Sequence, residues 1–151
     1  DPLAWAFYGP LVGSAARVVA GPLSDKLGGA RVTHWAALGM LVSTIWVTTL
    51  TSPTGLESFP MFVAGMLALF FFAGVGNAST FKQMPMIFEP RQAGGVIGWV
   101  SAIAAFGPFI FGVCLASIAP TNFLTGLAAF VVLCIAITWF RYAKPGASKK
   151  S

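Results

Sequence analysis

Residues Phe59–Thr80 read FPMFVAGMLALFFFAGVGNAST, an unbroken stretch without one charged side chain. A hydrocarbon core ~30 Å thick is crossed by about 20 apolar residues in helical conformation, so this stretch is of spanning length. Four more apolar blocks flank it: Ala4–Leu23, Val32–Leu50, Gly95–Ile118 and Phe123–Phe140. The connections between them carry turn signals and are too short to build a separate soluble domain: Ser24–Gly29, Thr51–Gly55, Glu89–Gln92 and Ala119–Asn122. Composition agrees, with 57% hydrophobic and only 9% charged residues where soluble domains carry about 25%. The expected fold is all-α: a polytopic membrane protein of five transmembrane helices, one domain over residues 1–143, with a disordered tail at 144–151.

The first span opens directly after Asp1, with neither Met nor a signal-peptide n-region, so the chain is expected to be a C-terminal piece of a longer protein. Cys114 and Cys134 fall inside spans and read as small apolar residues. No Cys lies in a loop, and neither a disulfide, a metal nor a cofactor is expected.

Charge sets an orientation. Alternating five spans puts Lys26, Arg31, Arg91, Arg141, Lys144, Lys149 and Lys150 on one side, with Lys82 at its border, and only Asp1 and Glu57 on the other. Excess Lys and Arg marks the cytoplasmic side, which makes the N-terminus periplasmic and the C-terminus cytoplasmic. The net charge of +5 therefore reports topology and not nucleic-acid binding. Trp5, Trp35 and Trp139 fall near span ends, as interfacial aromatic anchors do.

Arg17 is the exception to this charge pattern, because it lies within the first span. A charged side chain there costs at least about 2.5–3.5 kcal/mol on insertion scales. Gly13, Arg17 and Gly21 recur every four residues, placing the arginine between two glycines on one helix face that another helix can approach closely. The expectation is that Arg17 lines a polar pathway, where its planar fork of donors suits a planar oxyanion. Asn77, Ser79, Thr80 and Ser101 put neutral polar groups into apolar spans, to meet either a substrate or a neighbouring helix. Gly94, Gly98, Ala102 and Ala105 form a second small-residue stripe on which two backbones could slide. Lys82 reads as a snorkelling side chain and His34 as an interfacial one. Asp1, Asp25, Glu57 and Glu89 all sit at span ends, so no buried carboxylate balances Arg17. That favours an anion over a cation or neutral solute, and no nucleophile–base set suggests an enzyme.

The loop Gly21-Pro22-Leu23-Ser24-Asp25-Lys26-Leu27-Gly28-Gly29-Ala30-Arg31 resembles the cytoplasmic loop signature of the major facilitator superfamily, carried here by Gly21, Asp25, Gly28, Gly29 and Arg31. Gly29 stands where many members have Arg. Gly74–Phe88 resembles the glycine-rich tenth helix of nitrate/nitrite porters, and Gly94–Phe109, with Gly107, their second nitrate signature on the eleventh helix. Lys82, Ala104 and Pro108 depart from the residues common there. The resemblance runs from about Phe7 to Phe140. It implies helices eight to twelve of a major facilitator fold, lacking the seventh helix and the N-terminal half, set in the inner membrane. It also implies nitrate and nitrite as substrates, alternating access between two halves, and Arg17 holding the anion with an arginine of the absent half, Asn77 and Ser101 being further substrate-binding candidates. A carrier of another small anion and a non-transporting membrane subunit remain open alternatives.

Overall fold

The computed structural model describes residues 2–52 and 55–147. The described residues form helices and turns with no strand, and they make five rods. The first is α1 (Pro2–Ala6) followed by α2 (Tyr8–Leu27); the second is α3 (Gly29–Thr49); the third is α4 (Phe59–Ile87), entered through a 3₁₀ turn at Leu56–Ser58. The fourth is α5 (Pro90–Ala105) with α6 (Gly107–Ser117), and the fifth is α7 (Pro120–Thr138), closed by a π-helical turn at Trp139–Ala143. Three rods, Leu56–Ile87, Pro90–Ser117 and Pro120–Ala143, are both long and apolar enough to cross a membrane. The first two match them in length but are more polar, and in α3 that polarity is turned inward: Ser43 and Thr44 are buried. Their hydroxyls donate to the carbonyls of Gly39 and Met40 at 2.8 and 2.7 Å. Such back-bonding lets a hydroxyl sit in an apolar span with no unmet polar atom.

Proline accompanies two of the breaks and two of the starts of the rods, although Pro22 and Pro85 sit inside unbroken helices. Pro10 and Pro108 each lack an N–H and crowd the carbonyl four residues earlier, and the helix is interrupted just before each, at Phe7 and Phe106. The expected single span Gly95–Ile118 is therefore two helical segments. Pro90 and Pro120 sit in the first turn of α5 and α7, where a missing N–H costs nothing. This corrects the expected loops, since Glu89–Gln92 and Ala119–Asn122 are already largely helical. Between α2 and α3 only Gly28 is non-helical, at φ 90°, a conformation that glycine alone adopts freely. Beyond the π turn, Lys144–Ala147 closes a hydrogen-bonded turn, Ala147 N–H to the Lys144 carbonyl at 3.0 Å. The rest of the expected tail, with Lys149 and Lys150, lies outside the described residues, as do Asp1, Pro53 and Thr54.

α4 is the centre of the bundle, packed on α2 on one side and α3 on the other, while α7 covers the far side of α3. Close contacts are set by glycine. Gly74 of α4 lies so near Gly13 of α2 that a Cβ would collide with the Gly13 carbonyl, and a Cβ at Gly9 would lie 2.6 Å from the Phe70 ring. At the start of α3 a Cβ on Gly29 would lie 2.7 Å from Gln83 Cγ and 3.0 Å from the Ser79 carbonyl. Beside it, Gln83 Nε2 donates to Thr33 Oγ1 at 2.8 Å and the Thr33 and Ser79 hydroxyls meet at 2.7 Å, tying α3 to α4. The fourth rod is peripheral: Ala93, in its first turn, is its one buried residue.

Candidate functional site

Contacts along the helices fix their relative depth. Gly9 meets Phe70, Gly13 meets Gly74 and Asp25 pairs with Lys82, so α2 and α4 run parallel. Arg17 lies four residues past the Gly13–Gly74 contact and Asn77 three, which puts them at depths differing by about one residue rise, ~1.5 Å. Ten further residues separate each of them from the ends of α2 and α4 at Leu27 and Ile87, and Ser101 lies eleven residues after Pro90 at the start of α5. At helical rise these are each about 15 Å from the same end of the bundle.

The three differ in setting. Arg17 is exposed on the surface of α2, and among the described residues its guanidinium has no hydrogen-bond or ion-pair partner. The buried stripe of α2 is Gly9, Ala16, Ala20 and Ser24. At about 100° per residue Arg17 stands roughly 60° from the middle of that stripe and Gly21 roughly 100°. The expected face holding both glycines is therefore split: Gly13 is inside the α2–α4 seam, Arg17 at its edge, and Gly21 has nothing within 4 Å. Asn77 is half-buried, and its Oδ1 is shielded without a hydrogen-bond partner. In this orientation the Nδ2 end of the amide is the accessible one, the end that donates to an anion. Ser101 is exposed on α5; it shares the depth of the other two but is not brought against them.

The second small-residue stripe has no packed partner among the described residues. Gly94, Gly98, Ala102 and Ala105 are all exposed, and neither Gly94, Gly98 nor Gly107 has an atom within 4 Å of a built Cβ. The expected close-sliding seam is thus absent among the described residues, because α5 meets α4 near the turn and diverges from it. Lys82 is not merely snorkelling: its Nζ lies 2.9 Å from Asp25 Oδ2, joining the α2–α3 loop motif to α4. Arg31, the last residue of that motif, is exposed. Ser79 and Thr80 are held by Thr33 and by the Gly76 carbonyl, a structural use. A cavity of about 480 Å³ between α3, α4, α6 and α7 is walled by Met, Leu and Phe side chains. It has no charged group to hold an anion.

No family model matches the chain. Over 154 residues, 99% of it is 57% identical to a probable nitrate/nitrite antiporter, NarK2, of Thermus thermophilus. Over 171 residues, 96% of it is 31% identical to the nitrate/nitrite transporter NarU of Escherichia coli. The chain is a homologue of nitrate/nitrite transporters. A shorter match, 34% identical over 108 residues, joins it to the nitrite extrusion protein of Bacillus subtilis. It spans about a third of the first two relatives, 35% and 37% of their lengths. The homology covers nearly the whole chain, so α2 with Arg17, α4 with Asn77 and α5 with Ser101 all fall within the aligned region.

Proposed function

We propose that these five rods are helices eight to twelve of a major facilitator carrier that moves nitrate and nitrite across the inner membrane, with Arg17 as an anion-holding residue. One observation carries this reading: a guanidinium about 15 Å inside the end of its helix, on the helix surface, without a partner among the described residues. A charge in that position needs a counter-ion or water, and a nitrate ion lying in the plane of the guanidinium accepts two parallel hydrogen bonds. Asn77, at the same depth on α4, adds neutral donors; Ser101 on α5 reaches the anion when the halves close. The carrier moves its substrate without covalent chemistry and is not an enzyme. Access alternates as the two halves rock around a midplane site, the second half supplying the opposing cationic contact.

The test is nitrate/nitrite counterflow by the full-length carrier in proteoliposomes. Arg17→Ala should cut exchange at least tenfold at equal protein, about 1.4 kcal/mol or more of lost stabilisation. Exchange at the wild-type rate would remove Arg17 from the pathway. The same reading sets orientation. Six basic residues, Lys26, Arg31, Lys82, Arg91, Arg141 and Lys144, are grouped at one end of the described bundle, and Glu57 is at the other. We assign the basic end to the cytoplasm. In intact cells a membrane-impermeant thiol reagent should label a cysteine placed at Glu57 and spare one at Lys144; the reverse pattern would invert the topology.

A further inference from the structure

The basic end of the α3–α7 pair carries features that anion transport does not use. His34, in the second turn of α3, lies against Trp139 with ring centroids 5.0 Å apart and the rings tilted by 38°. Its Nδ1 is shielded without a partner, which leaves Nε2 as the accessible nitrogen. Running from this pair toward mid-membrane is a groove of about 390 Å³ along Leu38, Val132, Ile135 and Ala136, flanked by Phe140. A second hollow shares Ala136 and Phe140 and reaches Arg141 and Tyr142. Lys144 holds its ammonium 5.8 Å from the Phe140 ring, and Arg31 lies one helical turn before His34.

Charge at this rim is uncompensated by its own elements. Neither α3 nor the segment from α7 through Lys144 contains an Asp or Glu. Among the described residues the one ion pair joins Lys82 to Asp25, on other helices. A strip of apolar side chains that ends in an aromatic ring and two or three free cations has the chemistry of an acyl chain beneath a phosphate. Basic sites between transmembrane helices take anionic lipid headgroups for this reason. Trp139 and Trp35, 42% and 70% exposed, sit where tryptophan meets the headgroup layer.

We infer that the α3–α7 groove is a binding site for an anionic phospholipid, with an acyl chain along Leu38, Val132 and Ile135 and the phosphate held by Arg141, Lys144 and Arg31 beside His34 Nε2. The site is separate from Arg17, which lies on α2 about 15 Å from this end, and it does not depend on the transported anion. A zwitterionic lipid fills the same groove but offers its phosphate together with an ammonium, so the three cations gain less from it.

The test uses the full-length carrier, delipidated and examined by native mass spectrometry with dioleoyl phosphatidylglycerol or dioleoyl phosphatidylcholine. Retention of phosphatidylglycerol should exceed that of phosphatidylcholine by at least about tenfold, or ~1.4 kcal/mol. R31Q/R141Q/K144Q should erase that preference, while the charge-keeping R31K/R141K should retain it and so control for folding. Excess soluble glycerol phosphate should not displace the lipid, because it lacks the chain that fills the groove. Equal retention of both lipids, or a preference that survives the neutralised variant, overturns the inference. Displacement by glycerol phosphate alone would make this a soluble-phosphate site. Retention of neither lipid would show the groove covered by another part of the polypeptide.

Discussion

α2 and α5 carry nearly the same pattern and meet opposite fates. In α2 the small residues Gly9, Ala16 and Ala20 are buried, Gly9 lies against Phe70 of α4, and the Gly13 and Gly74 backbones are in direct contact. In α5 the residues Gly94, Gly98, Ala102 and Ala105 recur at similar spacing, all of them exposed. The pattern says that a helix can be approached closely. It does not say by what. On the proposed reading the partner of α5 belongs to the two thirds of the relatives' length that this chain does not span, and α5 borders the moving interface while α2–α4 is a fixed seam.

Substitutions at the two stripes separate a fixed seam from a moving one. The largest effect belongs to Gly74→Leu. Any side chain there meets the Gly13 backbone, which unlike a side chain cannot step aside, and overpacking of this kind costs typically about 1–3 kcal/mol or more. Membrane abundance of the full-length protein should fall severalfold, with a lower melting temperature in detergent. Wild-type abundance would mean that α2 and α4 do not pack as described. Gly98→Leu should be milder and of another kind: abundance near wild type, since a Cβ there meets nothing among the described residues, but reduced nitrate flux per molecule. Flux equal to wild type would place the α5 stripe against lipid and break the contrast with α2.

Much of the architecture was legible because the membrane simplifies the code. Block length identified five helices, and it rests on burial energies too large to be overridden locally. Helix boundaries were less legible. Glu89–Gln92 and Ala119–Asn122 read as loops because proline signals a turn, yet a proline in the first helical turn starts the helix instead. The break at Phe106 was encoded by Pro108 but hidden inside an apolar run. Pairings between distant residues were least accessible. Lys82 looked like a lone snorkelling cation because its partner Asp25 lies 57 positions away, and the Thr33–Ser79–Gln83 cluster joins two helices whose register no local pattern specifies. For the candidate site, sequence supplied Arg17 and Asn77 as polar groups in apolar spans, whereas their common depth came from the Gly13–Gly74 contact. Gly21 stands outside the α2–α4 seam, because four-residue spacing drifts about 40° per step around a helix.

The claim on which the account stands is that Arg17 binds the anion through its planar fork and does not merely reach for the headgroups. Nitrate affinity of the full-length Arg17→Lys carrier tests it directly. Lysine keeps the charge and snorkels as readily as arginine, but its point-like ammonium cannot offer two parallel hydrogen bonds to a planar oxyanion. Arg17→Lys should therefore lose roughly 1.5–3 kcal/mol of nitrate binding, the range for a charge-assisted hydrogen bond, or about ten- to hundredfold in affinity. Membrane abundance should remain near wild type. Wild-type nitrate affinity in a well-expressed Arg17→Lys carrier would contradict it and leave the arginine a bystander.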